Sequence, residues 1–465
     1  MTRASTRALR AIGICVVSVL VGSFAAAGDE KASTGSPQAA TSSTAPGGAA
    51  PVASPGASVG GRPSPAFDPV VATNAYLSKV AGEKRARSDS YFEGGYWLQL
   101  WDFLLGVAIA ILLVATGWSA KMRDRAERWT RVRPLHTFLY WCQYLIAMTV
   151  LLFPMTVYEG FVREHKYGLA TQTFRPWLGD QAKGLGLGLF FGGILVTLLY
   201  GVVRKLPRTW TLWGAVTFIV FLAFIQLIAP VFISPMFNKH TRLTDPAVKE
   251  PILRLARAQG LSAHDVWVVD ASRQSTRVSA NVSGFLGTER ITLNDNLLKR
   301  CSLPEIEAVM GHEIGHYALN HIYKAMLFFA VLIVIGFTLL RWGFDRVVAW
   351  RGTKWGIRGI GDTAGLPLVS LLFSAYFFIL TPVTNTYIRT EEAEADLFGI
   401  NASGQPDGEA EVDLKLGDYR KLDPGPIEEF LFFDHPSGRS RILMAMKWKA
   451  EHLGGSTGAS LLPPR

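Results

Sequence analysis

Seven stretches of the chain stand out as apolar, with centres near Val17, Ile109, Thr149, Gly192, Leu222, Val334 and Phe373. An apolar helix of about 20 residues crosses a hydrocarbon core of about 30 Å. The pattern therefore predicts membrane spans at 97–118, 136–158, 184–203, 210–233, 325–345 and 366–388. Trp97 and Trp118 bracket the first of these, where an interfacial aromatic belt would sit. The run near Val17 differs. It follows Arg3, Arg7 and Arg10, is short, and ends in Ala25-Ala26-Ala27. Residues 1–28 thus read as a secretory signal or a first membrane anchor, and the small residues at the end favour cleavage. Residues 29–66 are rich in Ala, Ser, Gly, Pro and Thr. They cannot bury enough apolar surface to fold and read as a disordered linker.

After Pro235 the pattern turns mixed. Val266–Asp270 and Arg290–Asp295 carry the β-branched residues and partial alternation of strands, and Val278–Leu286 is a candidate third strand. Ser302-Leu303-Pro304-Glu305 has capping-box spacing and predicts a helix start. A further helix is expected over 383–400 and a last one from Ser437. The chain divides into the leader 1–28, the linker 29–66, a multi-span region 67–233, a mixed domain with two more spans 234–450, and a flexible tail 451–465. The class is mainly α, polytopic, with a small α+β domain.

Composition sharpens this picture. Of 465 residues 49% are hydrophobic, and the net charge is +10. The basic residues cluster beside apolar stretches, which is the pattern of membrane-flanking loops rather than of a nucleic-acid surface. The expected surroundings are a lipid bilayer and no nucleic acid. Cys15, Cys142 and Cys301 have no spacing that suggests a disulfide framework or a metal knot.

The sharpest chemical signal is Gly-His-Glu-Ile-Gly-His-Tyr at 311–317. On a helix, His312 and His316 project from one face and can ligate one Zn²⁺ per chain. Glu313 adjoins them, where its carboxylate can take a proton from a water that the metal activates. A catalytic zinc keeps three protein ligands and an open fourth position. The segment Asn385–Asp396, with four carboxylates just past an apolar span, is the candidate source of the third.

These residues resemble the type I CaaX prenyl proteases, membrane zinc peptidases of the gluzincin type. The resemblance spans about 67–450 and rests on 235–243, 268–275, 287–298, 312–321 and an Asn-xxx-Arg-xx-Glu-xx-Ala-Asp pattern met by Asn385, Arg389, Glu392, Ala395 and Asp396. It implies Glu392 as the third zinc ligand, with Asn385, Arg389, Asp396 and Arg441 supporting the site. It also implies that His435, in a His-Pro pair, steadies the oxyanion. Val278, Ser279, Ala280, Asn281, Val282, Ser283 and Gly284 would form an edge strand that pairs with the substrate backbone. Where eukaryotic members usually read Asn-Ala-Tyr, this chain reads Ser279-Ala280-Asn281. The implied fold is a barrel of transmembrane helices around a chamber, closed at one end by the metallopeptidase domain.

The loops 119–135, 204–209 and 346–365 are basic and fall on one side if every span crosses. The positive-inside rule makes that side cytoplasmic, which puts the metal domain on the far face of a bacterial inner membrane. The eukaryotic relatives carry it on the cytosolic face. The leading expectation is a zinc endopeptidase acting on a peptide or protein near the membrane, possibly a lipidated one in the manner of CaaX processing. The alternatives are a bacterial membrane quality-control protease and, from another class, a transporter or non-catalytic scaffold.

Overall fold

The structure is a computed structural model that describes residues 67–283 and 289–453. The expected leader, the linker, Gly284 and all but three residues of the expected tail lie outside the described residues.

The described chain opens with α1 (Pro69–Ser78). Its N-terminus is set by Asp68, whose side chain accepts from the amides of Val70 and Val71. Helix α2 (Gly82–Ala115) is the first long apolar helix, and Gly117, at φ 72°, turns the chain into the amphipathic α3 (Trp118–Trp129). Three more long helices follow: α4 (Arg133–Lys166), α5 (Phe174–Lys205) and α6 (Trp210–Phe237). Each contains one π-helical turn, at Tyr158–Arg163, Gly188–Gly192 and Ala229–Ile233.

The mixed region then begins with β1 (His240–Arg242), α7 (Pro246–Ala258), β2 (Val266–Val269), β3 (Ala280–Ser283) and β4 (Arg290–Asn294). The sheet order is β1-β2-β4-β3, with β2 and β4 parallel and both outer pairs antiparallel. The two strands read from Val266 and Arg290 are thus the central pair. Three-residue β1 carries too few positions to show alternation. The strand expected from Val278 starts at Ala280.

After α8 (Asp295–Arg300) comes α9 (Leu303–Ala318), which begins at the expected capping box: the Ser302 amide donates to Glu305 at 2.6 Å. Next are α10 (His321–Trp355), another long apolar helix, then α11 (Leu366–Ile379) and α12 (Thr381–Ser403). Among the described residues five helices are long and apolar enough to cross a membrane. A sixth crossing follows if the α11–α12 pair, bent by 56°, is one span. The single span expected over 366–388 is therefore broken. Pro382 in the first turn of α12 lacks the N–H that a continuous helix needs. Finally come α13 (Pro406–Leu416), α14 (Pro426–Phe432) and α15 (Gly438–Leu453), so residues 451–453 are helical rather than part of a tail.

The three basic loops meet at one end of the bundle. Arg123 reaches Asp362 at 2.6 Å and the Gly356 carbonyl at 2.7 Å, Arg204 donates to the Gly361 carbonyl, and Arg358 pairs with Glu127. Every long helix runs beyond its apolar core. The first turns of α2 leave the apolar window and dock on the C-terminal region, where Ser88 donates to the Arg420 carbonyl and Lys84 pairs with Asp418.

Helices α9 and α12 approach backbone to backbone. A Cβ at Gly311 would lie 2.6 Å from the Gly399 carbonyl oxygen, and one at Gly399 would lie 2.6 Å from the His312 nitrogen. A Cβ at Gly315 would lie 3.2 Å from the Ala395 carbonyl oxygen. Neither backbone can yield as a side chain can. Gly311→Ala or Gly399→Ala should therefore cost about 1–3 kcal/mol of stability, as overpacking does, and lower the metal content of the purified protein. Gly425→Ala, where a Cβ meets nothing within 4 Å, is the control and should change neither.

Candidate metal centre

The helical repeat places His312 and His316 one turn apart on the face of α9 that meets α12. Their Nε2 atoms are 3.1 Å apart. Glu392 enters from α12, its carboxylate 3.3 Å from His312 Nε2 and 3.6 Å from His316 Nε2. Of the four carboxylates on that segment, Glu392 is the one that joins both imidazoles. Among the described residues these three form the one group of His, Cys, Asp and Glu with ligand spacing. Ligand atoms about 2.0–2.1 Å from a tetrahedral zinc lie about 3.3 Å from one another, so the donor set fits that ion in type and spacing.

Each imidazole is held from behind. His312 Nδ1 lies 2.7 Å from Asp396 Oδ1, which leaves Nε2 to face the centre. Asp396 is gripped by Arg441, whose Nε donates to its second oxygen at 2.8 Å. Arg441 also meets Glu409 at 3.2 Å and Asp413 at 3.1 Å, both on α13. One guanidinium thus faces three buried carboxylates. Burial and mutual repulsion push Asp413 well above the usual carboxylate range and raise Glu409 as well. Behind His316 stands His321, Nδ1 to Nδ1 at 2.9 Å, and His321 in turn meets Glu394 at 3.1 Å. Asn320, at φ 57°, makes the turn that brings His321 beneath its neighbour.

Burial opposes a charged His312, but the hydrogen bonds to Asp396 and Glu392 outweigh it and push the imidazole up to about 10. Metal binding there releases a proton and strengthens as pH rises. His316 goes the other way: burial holds it well below the ordinary imidazole value.

Glu313, half-buried, lines the same cavity as His312, His316 and Glu392. His435 is there too. Its Nε2 is 3.2 Å from Glu392 and its Nδ1 3.0 Å from Asp434. Asn385 and Arg389 lie on the same helix as Glu392 and bond to the segment before His435. Asn385 donates to the Leu431 carbonyl, and Arg389 donates to those of Glu429 and Phe433, which fixes the segment leading into His435. Val278, Ser279 and Ala280 form one wall of the cavity, and β3 is an outer strand of the sheet, paired with β4 from Ala280–Leu293 to Ser283–Arg290. The sequence reading missed His321, Glu394, Glu409 and Asp413 as parts of the site. The first was legible in the string 312–321; the others depend on how α12, α13 and α15 pack.

Residues 242–449 match the profile of peptidase family M48, and residues 74–239 match that of the CAAX prenyl protease N-terminal region, described as five membrane helices. The chain belongs to peptidase family M48. It is a multi-pass membrane metallopeptidase. It is similar to the uncharacterized metalloprotease YhfN of Bacillus subtilis, at 27% identity over 74% of this chain and 82% of that protein. It is also similar to CAAX prenyl protease 1 of Saccharomyces cerevisiae, at 29% identity over 63% of this chain and 68% of that one. The crystal structure of S. mikatae Ste24p has the same fold, with a TM-score of 0.65 over 81% of this chain and 95% of that chain, at 21% identity. The M48 match spans the His312, His316 and Glu392 group.

Loss of the carboxylate behind a ligating histidine typically costs 10–100-fold in metal affinity. Asp396→Asn should therefore weaken metal binding by about that factor in a chelator competition, with the fold retained. Wild-type affinity in this variant would show that the Asp396–His312 contact does not support the site.

Proposed function

We propose that this M48 metallopeptidase is a zinc endopeptidase that cuts extended peptides presented at the membrane. The observation that carries the reading is the convergence of two imidazoles and one carboxylate on a cavity that also holds Glu313 and the edge of β3. Zinc held by His312, His316 and Glu392 would lower the pKa of water to about 7 and polarise a peptide carbonyl. Glu313 accepts the proton of the attacking water and delivers it to the leaving amine. His435 turns its Nε2 from Glu392 to the oxygen of the scissile carbonyl and donates a hydrogen bond as negative charge grows there. The substrate adds as a strand to β3, through main-chain hydrogen bonds that ask little of its side chains. Substitution at Ser279-Ala280-Asn281 therefore leaves this role intact.

The CAAX proteins named for the yeast relative are one substrate class for such a site. The charge pattern favours a second, membrane quality control. By the positive-inside rule the end that gathers Arg123, Arg204 and Arg358 is cytoplasmic, and the metal centre then faces outward from a bacterial inner membrane.

Glu313→Gln should keep its zinc and lose turnover, because an amide cannot accept the proton. His435→Ala should keep zinc and fold but slow turnover by about 10²–10³, the usual effect of removing one oxyanion donor. Both are read on a farnesylated CaaX peptide and on its unmodified form. Preference for the farnesylated peptide favours CaaX processing, and equal cleavage favours quality control. Substantial turnover by Glu313→Gln would sink the assignment of the base.

Orientation has its own test. Alkaline phosphatase fused after Leu319 or Leu443 should be active and after Arg125 inactive. The reverse pattern would return the centre to the cytosolic face.

A further inference from the structure

A second cavity, of about 500 Å³, lies between α2 and α4 and shares no lining residue with the metal centre. Its volume falls within the range of small-molecule sites. Trp97, Trp101, Leu105 and Met155 make an apolar wall, while Tyr158 and Arg163 line it from the π-helical turn that widens α4. Such turns often mark functional positions.

Arg163 is the unusual member. It is 7% exposed. A terminal nitrogen donates to the Tyr91 carbonyl, and the guanidinium carbon sits 4.0 Å from the centre of the Tyr91 ring. Among the described residues it forms no ion pair, and its remaining N–H groups have no hydrogen-bond partner. The neighbouring carboxylate, Glu164, is taken by Arg277 and by the Tyr91 hydroxyl. Gly94 borders the guanidinium, where a Cβ would lie 3.6 Å from Nη2, in ordinary contact. A buried cation without a counter-ion carries a desolvation penalty that an anion would offset. Arginine suits phosphate because its fork can donate two parallel hydrogen bonds.

The position along the helices narrows the choice of anion. Arg163 lies near the last turn of α4, past the apolar part of that helix, with Tyr158 five residues before it at the other end of the π-helical turn. Trp97 stands where the polar start of α2 gives way to its apolar part. Aromatic rings at such transitions mark headgroup depth. From there the apolar wall continues along α2 through Trp101 to Leu105, toward the membrane interior.

We propose that this cavity binds an acidic phospholipid, with its phosphate on Arg163 and an acyl chain along Trp97, Trp101, Leu105 and Met155.

Native mass spectrometry of the full chain, given phosphatidylglycerol or phosphatidylcholine in detergent, tests this. The phosphatidylglycerol adduct should persist and the phosphatidylcholine adduct should not. Arg163→Gln should weaken retention by about tenfold or more, the usual effect of losing a hydrogen bond to a charged group. Met155→Trp fills the apolar wall, leaves the cation in place, and should also abolish retention. It decides the matter should Arg163→Gln fail to fold, and metal content reports folding in each variant. Equal retention of both lipids, or retention unchanged in either variant, overturns the proposal. So does displacement of the lipid by inorganic phosphate alone, which would make this a small-anion site. Displacement by a peptide with a free but not an amidated C-terminus would reassign the cavity to substrate and also overturns it.

Discussion

The backbone contact between α9 and α12 is the constraint on which the rest depends. Imidazole and carboxylate side chains are short, and a metal admits ligand atoms only about 2.0–2.1 Å away. Helices usually pack 8–10 Å apart, at a distance that the side chains at the contact decide. Gly311 and Gly399 remove the side chains that would impose that spacing, and Gly315 against Ala395 extends the contact along one further turn. Across this contact Glu392 lies 3.3 Å from His312 Nε2 and 3.6 Å from His316 Nε2, while the 3.1 Å between the two imidazoles is set by their spacing on α9.

Close approach sets distance but not direction, and direction comes from the groups behind the ligands. Asp396 fixes the His312 ring and is itself fixed by Arg441, which ties α12 to α15 and α13. His321 does the same for His316 from the first turn of α10. The next helix of the chain is thus joined to the His312–His316 motif at its first residue. Arg389 and Asn385 extend the same logic outward by pinning the carbonyls that precede His435. Arg441 is buried among three carboxylates, an arrangement that is costly to assemble, and its contacts hold the Asp396 carboxylate between α12, α13 and α15.

The membrane region is tied to the C-terminal region at both ends of the described chain. Helix α1 packs beside α13 and α15, with Leu77 and Val80 in one cluster with Ala410, Leu414 and Ile442. Tyr76 donates to Asp407, and Arg439 donates to Asn74. Rings of α2 continue the contact, since Phe92 meets Phe433 and Tyr96 stacks on Phe432 two residues before Asp434. One side of the polar start of α2 therefore supports the His435 segment, and the same stretch lends Gly94 and Tyr91 to the Arg163 cavity.

The sequence by itself determined all but the last of the spans, the central strand pair, the start of α9 and the two histidines. Each is a local signal: apolar length, alternation, a capping box, or an i, i+4 pair on one helix face. The pattern of the family added Glu392 ahead of its neighbours, where residue chemistry alone left four carboxylates. Tertiary structure decided what local pattern cannot carry. The break at Leu380 turns what reads as one apolar run into two helices that point differently. The role of each acidic residue on α12 depends on which partner its face meets, with Glu392 at the centre, Asp396 behind His312 and Glu394 behind His321. Glu409 and Asp413 fall in a stretch between the expected helices that carries no local sign of a role, until α15 brings Arg441 to them. Arg163 reads as one more basic residue at a span end. Its burial against Tyr91 follows from the packing of α2 on α4, because burial and pairing are properties of neighbours that lie far away in the sequence.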